Sequence, residues 1–164
     1  MSRLEAFGNQ LVEFHVWLRD QLDELSADVD VDEALRSPDA AIRPIARDLR
    51  AHCLTFCEAL GAHHTGEDEG AFPVIAEHYP ELRPVLEELT RDHQLVTDAL
   101  HRLATPDHLD PQYLRQELDT LAALLETHFT YEERKITEAL NALTTGTPED
   151  RDRLSRPFRR TGSG

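Results

Sequence analysis

LRQELDTLAALLETHFTYEERKITEAL, residues 114–140, decides the fold. Its apolar residues Leu114, Leu118, Leu121, Leu125, Ile136 and Leu140 keep to positions three or four apart, or multiples of that step. That period draws one stripe along an α-helix, not the alternating faces of a strand. His128 and Glu132 stand on the same stripe, where the period assigns them to the interior. A buried ionisable group costs several kcal/mol unless it is paired or ligates a metal. The helix therefore calls for polar partners elsewhere in the chain.

Three further stripes lie upstream. Leu4, Phe7, Leu11, Phe14, Leu18, Leu22 and Leu25 predict a helix over residues 2–26, followed by an Asp-rich stretch from Ala27 to Asp32. Ile45, Leu49, His52, Phe56, Leu60, His63 and Glu67 form the second stripe, starting near Pro44. Gly66 and Gly70 should weaken its far end, and Pro73 should end or kink it. Leu82, Val85, Leu89, His93, Val96, Leu100 and Leu103 form the third, with Pro84 near its start. A turn with Pro106 and an N-cap at Asp110 precedes the fourth. A short extra helix is expected around Val74–His78, and no strand is expected. Four such helices predict an all-α, up-down-up-down four-helix bundle over residues 1–143. The Gly-, Pro- and Arg-rich remainder, residues 144–164, lacks a stripe and reads as a flexible, disordered tail.

Composition narrows the function classes. The chain has 164 residues, enough for one domain. Its net charge of −15 opposes general nucleic-acid binding and docking on anionic lipid. At 40% hydrophobic residues it is too apolar for a disordered acidic chain. No apolar run reaches membrane-spanning length, and the N-terminus lacks a signal-peptide layout. Cys53 and Cys57, four apart, form neither a C-x-x-C pair nor a disulfide framework, so the expected setting is a reducing, cytoplasmic compartment.

The chain carries nine His, and four of them, with two Glu, interrupt the stripes. His15 lies on the inward half of the first helix. His63 and Glu67 are i, i+4 on the second, His93 is on the third, and His128 and Glu132 are i, i+4 on the fourth. An i, i+4 pair shares one helix face, so both side chains can reach one metal site. About one H-x-x-x-E is expected by chance in such a chain. Two of them, in core stripes of alternate helices, each preceded one helix earlier by an inward His, make two like halves. Imidazole and carboxylate suit Fe, Mn or Zn, and four His with two potentially bridging Glu suit two adjacent metals better than one. The H-E-x-x-H zinc-protease signature is absent, as is the Glu-x-x-His of ferritin-like proteins.

In order and spacing, His15, His63-x-x-x-Glu67, His93 and His128-x-x-x-Glu132 resemble the hemerythrin-like (HHE cation-binding) family, in the pattern of its bacterial members. The run His63-His64-Thr65-Gly66-Glu67-Asp68 into Phe72-Pro73 is similar to that family's second-helix signature, and Asp92-His93 to its third-helix entry. The resemblance spans residues 5–142. It implies a non-haem centre of two iron ions, with Glu67 and Glu132 bridging and His15, His63, His93 and His128 as terminal ligands. The chain departs from oxygen carriers in two places. Thr97 stands where they have a second third-helix His, and Glu132 lies one residue before their usual Asp. The iron held by His93 is then expected to keep an open position, against simple oxygen transport.

Other residues read differently. His52 lies about 16 Å along the helix from His63 and is expected in the core or behind the ligands. His64 is turned about 100° from His63 and is expected outside the ligand set. Glu69 and Glu133 should be solvated or stand behind the ligands, and His78, His101 and His108 should be at the surface. Trp17 and Phe129 should pack around the site, and Cys53 and Cys57 should be buried as small residues. Two imidazoles and two carboxylate oxygens per iron leave room for an oxo or hydroxo bridge and a small ligand. The expected function is binding and redox processing of O₂, peroxide or nitric oxide, with a sensor or O₂-binding protein as alternatives. No large substrate pocket is expected, and no motif names the electron donor.

Overall fold

The computed structural model describes residues 6–34, 47–104, 111–143 and 146–159. Six α-helices are present among them: α1 (Phe7–Ala34), α2 (Arg47–Gly66), α3 (Phe72–His78), α4 (Arg83–Ala104), α5 (Pro111–Ala142) and α6 (Pro148–Ser155). A π-helical turn, Glu67–Ala71, joins α2 to α3, so the two run on as one interrupted element. The turn's wider bore accommodates Pro73, whose ring would clash with the carbonyl four residues back in a regular helix.

Cross-helix pairs fix the topology. Asp28, near the end of α1, accepts from His52, near the start of α2. Asp68, just past α2, accepts from His93 in α4. Arg102 at the end of α4 donates to Glu117 near the start of α5. Asn9 at the start of α1 meets Asn141 at the end of α5. Each neighbouring pair is therefore antiparallel, and the up-down-up-down bundle stands.

All eight stripe residues of α5 are buried, from Leu114 to Leu140. The core divides into two apolar clusters. One holds Leu18, Leu22, Leu25, Phe56, Leu60, Leu118, Leu121 and Phe129. The other holds Leu11, Phe72, Ile75, Leu89, Ile136 and Leu140. Each fully buried Leu or Phe contributes about 1.5–3 kcal/mol. The inward His and Glu lie between the two clusters.

Three expectations are corrected. α1 runs through the Asp-rich stretch to Ala34, because Val29 is buried four residues after Leu25 while Asp28 and Asp30 face out to pair with His52 and Arg115. The second stripe passes through buried Cys53 rather than His52, which is half-buried on Asp28. The expected disordered tail is folded over residues 146–159. Thr147 caps α6 by accepting the Asp150 N–H, Pro148 follows the cap, and Leu154 and Pro157 are buried. This segment docks where α2 lacks side chains. A Cβ on Gly66 would lie 2.8 Å from the Pro157 nitrogen, and one on Gly70 would lie 2.6 Å from the Arg153 carbonyl. The two glycines serve as a docking floor. Leu4, Pro44, Ile45, Pro106, His108 and Asp110 lie outside the described residues, where the starts of the second and fourth helices were expected. No helix among the described residues is long and apolar enough to cross a membrane.

Candidate metal centre

Four bundle elements deliver one polar layer. α1 supplies His15, the end of α2 supplies His63 and His64, and Glu67 opens the π turn. α4 supplies His93, and α5 supplies His128 and Glu132. All seven are buried. Two overlapping sets place their ligand atoms within 4.8 Å of one another: His15, His63, Glu67 and Glu132, and His64, Glu67, His93 and His128. The six residues singled out from the sequence thus come together, and His64 joins them.

Each carboxylate spans the layer. Glu67 sets Oε1 3.0 Å from His63 Nε2 and Oε2 3.1 Å from His93 Nε2. Glu132 Oε2 lies 3.2 Å from His128 Nε2 and 3.8 Å from His15 Nε2. None of these four carboxylate oxygens receives a hydrogen bond. Four buried acceptors without donors are costly in a protein interior.

The imidazoles are aimed from behind. His15 Nδ1 meets Glu133 at 3.1 Å, His63 Nδ1 meets the Pro157 carbonyl at 2.8 Å, His93 Nδ1 meets Asp68 at 2.8 Å and His128 Nδ1 meets Asp92 at 3.1 Å. A carbonyl or carboxylate can only accept, so each Nδ1 carries a proton and each Nε2 points inward, where it can ligate a cation once it holds no proton. The Nε2 atoms of His15 and His63 face each other at 3.2 Å, as do those of His93 and His128. Facing Nε2 atoms beside two buried carboxyl groups are a donor set that fits cations.

Protonation of the metal-free layer shows the same demand for positive charge. Burial and the adjacent Glu67 charge push Glu132 well above the carboxylate range. Burial opposes ionisation of Glu67 too, but the charge of His63 and the neighbouring Glu132 carboxyl outweigh it and hold Glu67 well below that range. Burial pushes His15 down to about 4 and His64 well below its ordinary value. For His93, burial is outweighed by the carboxylates of Asp68 and Glu67, which raise it to about 9.

The surroundings differ from side to side. Around His15 and His63 the walls are aromatic. Phe129 stacks on His15 at 3.9 Å, Phe14 stacks on His63 at 4.8 Å, and Phe158 approaches both Phe14 and His63. Around His93 and His128, surface clefts come close. One of about 430 Å³ has Asp68, Phe72 and Thr90 in its wall, and one of about 460 Å³ has Asp92, Val96 and His128. A larger cavity of about 520 Å³ lies elsewhere, between Phe7, Leu140 and Pro148.

Several residues behave otherwise than expected, and others were not expected at all. His64 is inside the layer, not outside it: its Nε2 is buried without a partner, and its ring stacks on His93 at 3.9 Å. Asp68 and Asp92, quoted from the sequence only as parts of the family resemblance, and the Pro157 carbonyl are positioning groups whose role the sequence did not show. Glu133 stands behind His15 and also accepts from Arg19, while Glu69 is exposed. Thr97 is half-buried and belongs to neither set. Cys53 is buried, Cys57 is half-buried and both are free thiols. His78 and His101 are exposed.

A family model, that of the hemerythrin HHE cation binding domain, matches residues 7–140. The match runs from the first residue of α1 to Leu140 in α5 and leaves out α6. Searches of curated proteins and of solved structures give no significant match.

Proposed function

The chain belongs to the hemerythrin HHE cation-binding family, whose domains bind metal, generally iron, and on that premise we propose that its buried layer holds two iron ions and processes a small oxidant: O₂, peroxide or nitric oxide. One observation carries the reading: Glu67 and Glu132 each reach a histidine of both sides, and neither has a hydrogen-bond donor on any oxygen. That is the disposition of bridging carboxylates. His15 and His63 would hold one ion, and His93 and His128 the other. A bound iron pair supplies Lewis acidity and electrons for a diatomic or peroxide ligand.

The chain's own residues do the rest. Glu133, Asp68, Asp92 and the Pro157 carbonyl keep each Nδ1 protonated and each Nε2 free to ligate. Phe14, Phe129 and Phe158 limit water on the His15–His63 side. Free thiols fit a reducing, cytoplasmic setting.

The test is metal analysis with an absorption spectrum. About two iron atoms per chain, with near-ultraviolet ferric absorption in air, are expected. Stoichiometric zinc, without iron uptake on anaerobic reconstitution, would sink the reading. Sustained peroxide or nitric oxide consumption by the reduced protein identifies an enzyme, and reversible oxygenation identifies an O₂-binding protein. One contact favours a sensor as second reading. Pro157 holds His63, so changes at the centre are transmitted to the C-terminal segment. Bleaching without turnover, with faster amide exchange at Leu154 on oxidation, is its signature.

A further inference from the structure

The bundle repeats itself around the layer. Residues 63–68 read His-His-Thr-Gly-Glu-Asp, and residues 128–133 read His-Phe-Thr-Tyr-Glu-Glu. The repeat extends to function: Asp68 holds Nδ1 of His93, and Glu133 holds Nδ1 of His15. The second position breaks the likeness. Phe129 stacks on His15 at 3.9 Å with planes 16° apart, and His64 stacks on His93 at 3.9 Å with planes 14° apart. A ring suffices for that stacking, and Phe129 provides one with no polar atom to satisfy. An imidazole in the same slot buries a nitrogen, and His64 Nε2 has no partner. It costs stability that phenylalanine would not cost, unless something binds it.

We propose that His64 is a ligand of this centre, a third imidazole on the ion held by His93 and His128. One of its ring nitrogens lies within 4.8 Å of ligand atoms of Glu67, His93 and His128. Helix geometry places Glu67 about 40° from His63 on one side and about 60° from His64 on the other, so one carboxylate can serve both histidines. The proposal rests on the paired-metal reading and changes one expectation drawn from it. The His93–His128 ion takes three imidazoles and the His15–His63 ion takes two. Thr97 then leaves no gap at His93, because α2 supplies the missing donor. The open position belongs to the His15–His63 ion, behind the aromatic wall.

His64→Phe makes the two halves alike in a slot that already takes phenylalanine at position 129. The metal-free variant is expected to melt at or above the wild type, since the orphaned nitrogen is gone. Under anaerobic titration with ferrous iron, its weaker site should lose at least tenfold in affinity, and one of two Mössbauer doublets should change. Two irons bound with wild-type affinity and an unchanged spectrum would overturn the proposal. If His64→Phe fails to fold, His64→Leu is titrated under the same criterion. A wild type that binds one iron, more weakly in the variant, overturns the pair and keeps His64 as a ligand. A wild type that binds none overturns both.

Discussion

The run His63–Asp68 and the run His128–Glu133 are the same device used twice, and apart from the exchange of Asp68 for Glu133 they part company at three points. The second position is an imidazole in one and a phenyl ring in the other. The fourth is Gly66 in one, against which Pro157 packs, and Tyr131 in the other, whose hydroxyl donates to Glu88. The third difference is what holds the leading histidine. His128 has Asp92, the neighbour of His93. The corresponding neighbour of His15 is Phe14, which cannot accept, and the Pro157 carbonyl from beyond α5 takes that role for His63. One side of the centre is backed by carboxylates and lies near clefts. The other has a neutral carbonyl in place of one carboxylate, and aromatic walls. Near-symmetric side chains are thus set in asymmetric surroundings, which differentiate the two halves of the layer.

The largest expected effect comes from breaking what the halves share. Glu67→Ala and Glu132→Ala should each reduce loading below one iron per chain after anaerobic reconstitution, with Glu69→Ala loading as wild type. Glu133→Ala falls between, with about a 10–100-fold loss of affinity, because it releases His15 without removing a ligand. Equal loading of the Glu132 and Glu69 variants would show that the layer is not the site.

The carbonyl that distinguishes the halves can be removed next. Ending the chain after Leu143 takes away the Pro157 partner of His63 and the burial of Leu154. The metal-free protein should lose about 1.5–3 kcal/mol in denaturant unfolding, and iron affinity should fall about 10–100-fold. Truncated protein with full affinity would show that His63 is aimed without the carbonyl.

Acidity sharpens the contrast further. His15 titrates at about 4 in the folded metal-free protein against 6.5 in the unfolded chain. A depressed value gives stability that is present above pH 6.5 and lost as pH falls toward 4, worth on the order of 3 kcal/mol. His93, raised to about 9, acts oppositely, with stability present below 6.5 and lost as pH rises through 9. Metal-free protein should therefore lose stability at both ends in melts across pH 4–9, on the acid side with His15 and His64 and on the alkaline side with His93 and Glu132. A flat profile would contradict the assigned partners.

The smallest effect is outside the layer. His52→Gln removes a partly exposed pair with Asp28. It should cost about 0.2–1 kcal/mol and leave iron binding unchanged, whereas altered uptake would give His52 a role in access.

What the sequence made legible was side-chain periodicity. The stripe of α5 is buried at every predicted position, and the six inward His and Glu meet in one layer. What escaped was of other kinds. The arc of α2 that faces the interior is wider than one stripe, so His64 at about 100° is still inside it. Asp-rich residues on the outer face of α1 hid the continuation of its stripe through Val29. The C-terminal segment docks through missing side chains, Gly66 and Gly70, and through the backbone oxygen of Pro157. No pattern of residue types displays a backbone oxygen.

The widened turn at Glu67–Ala71 bears on chain length. The Phe72 N–H reaches back five residues to the Glu67 carbonyl, so this stretch holds one residue more than a regular turn. In an unbroken α-helix Phe72 would point about 180° away from His63, toward solvent. With the surplus residue absorbed, it is buried and stacked against His93 at 5.7 Å. The surplus works as a shim. A deletion at exposed Glu69 would draw the turn back to ordinary pitch with the ligands upstream and Phe72 downstream still in phase. The same deletion in the middle of α2 would swing everything beyond it by about 100°. Within this helix a one-residue deletion at Glu69 keeps the side chains of α3 in phase but takes from Pro73 the wide turn that accommodates its ring.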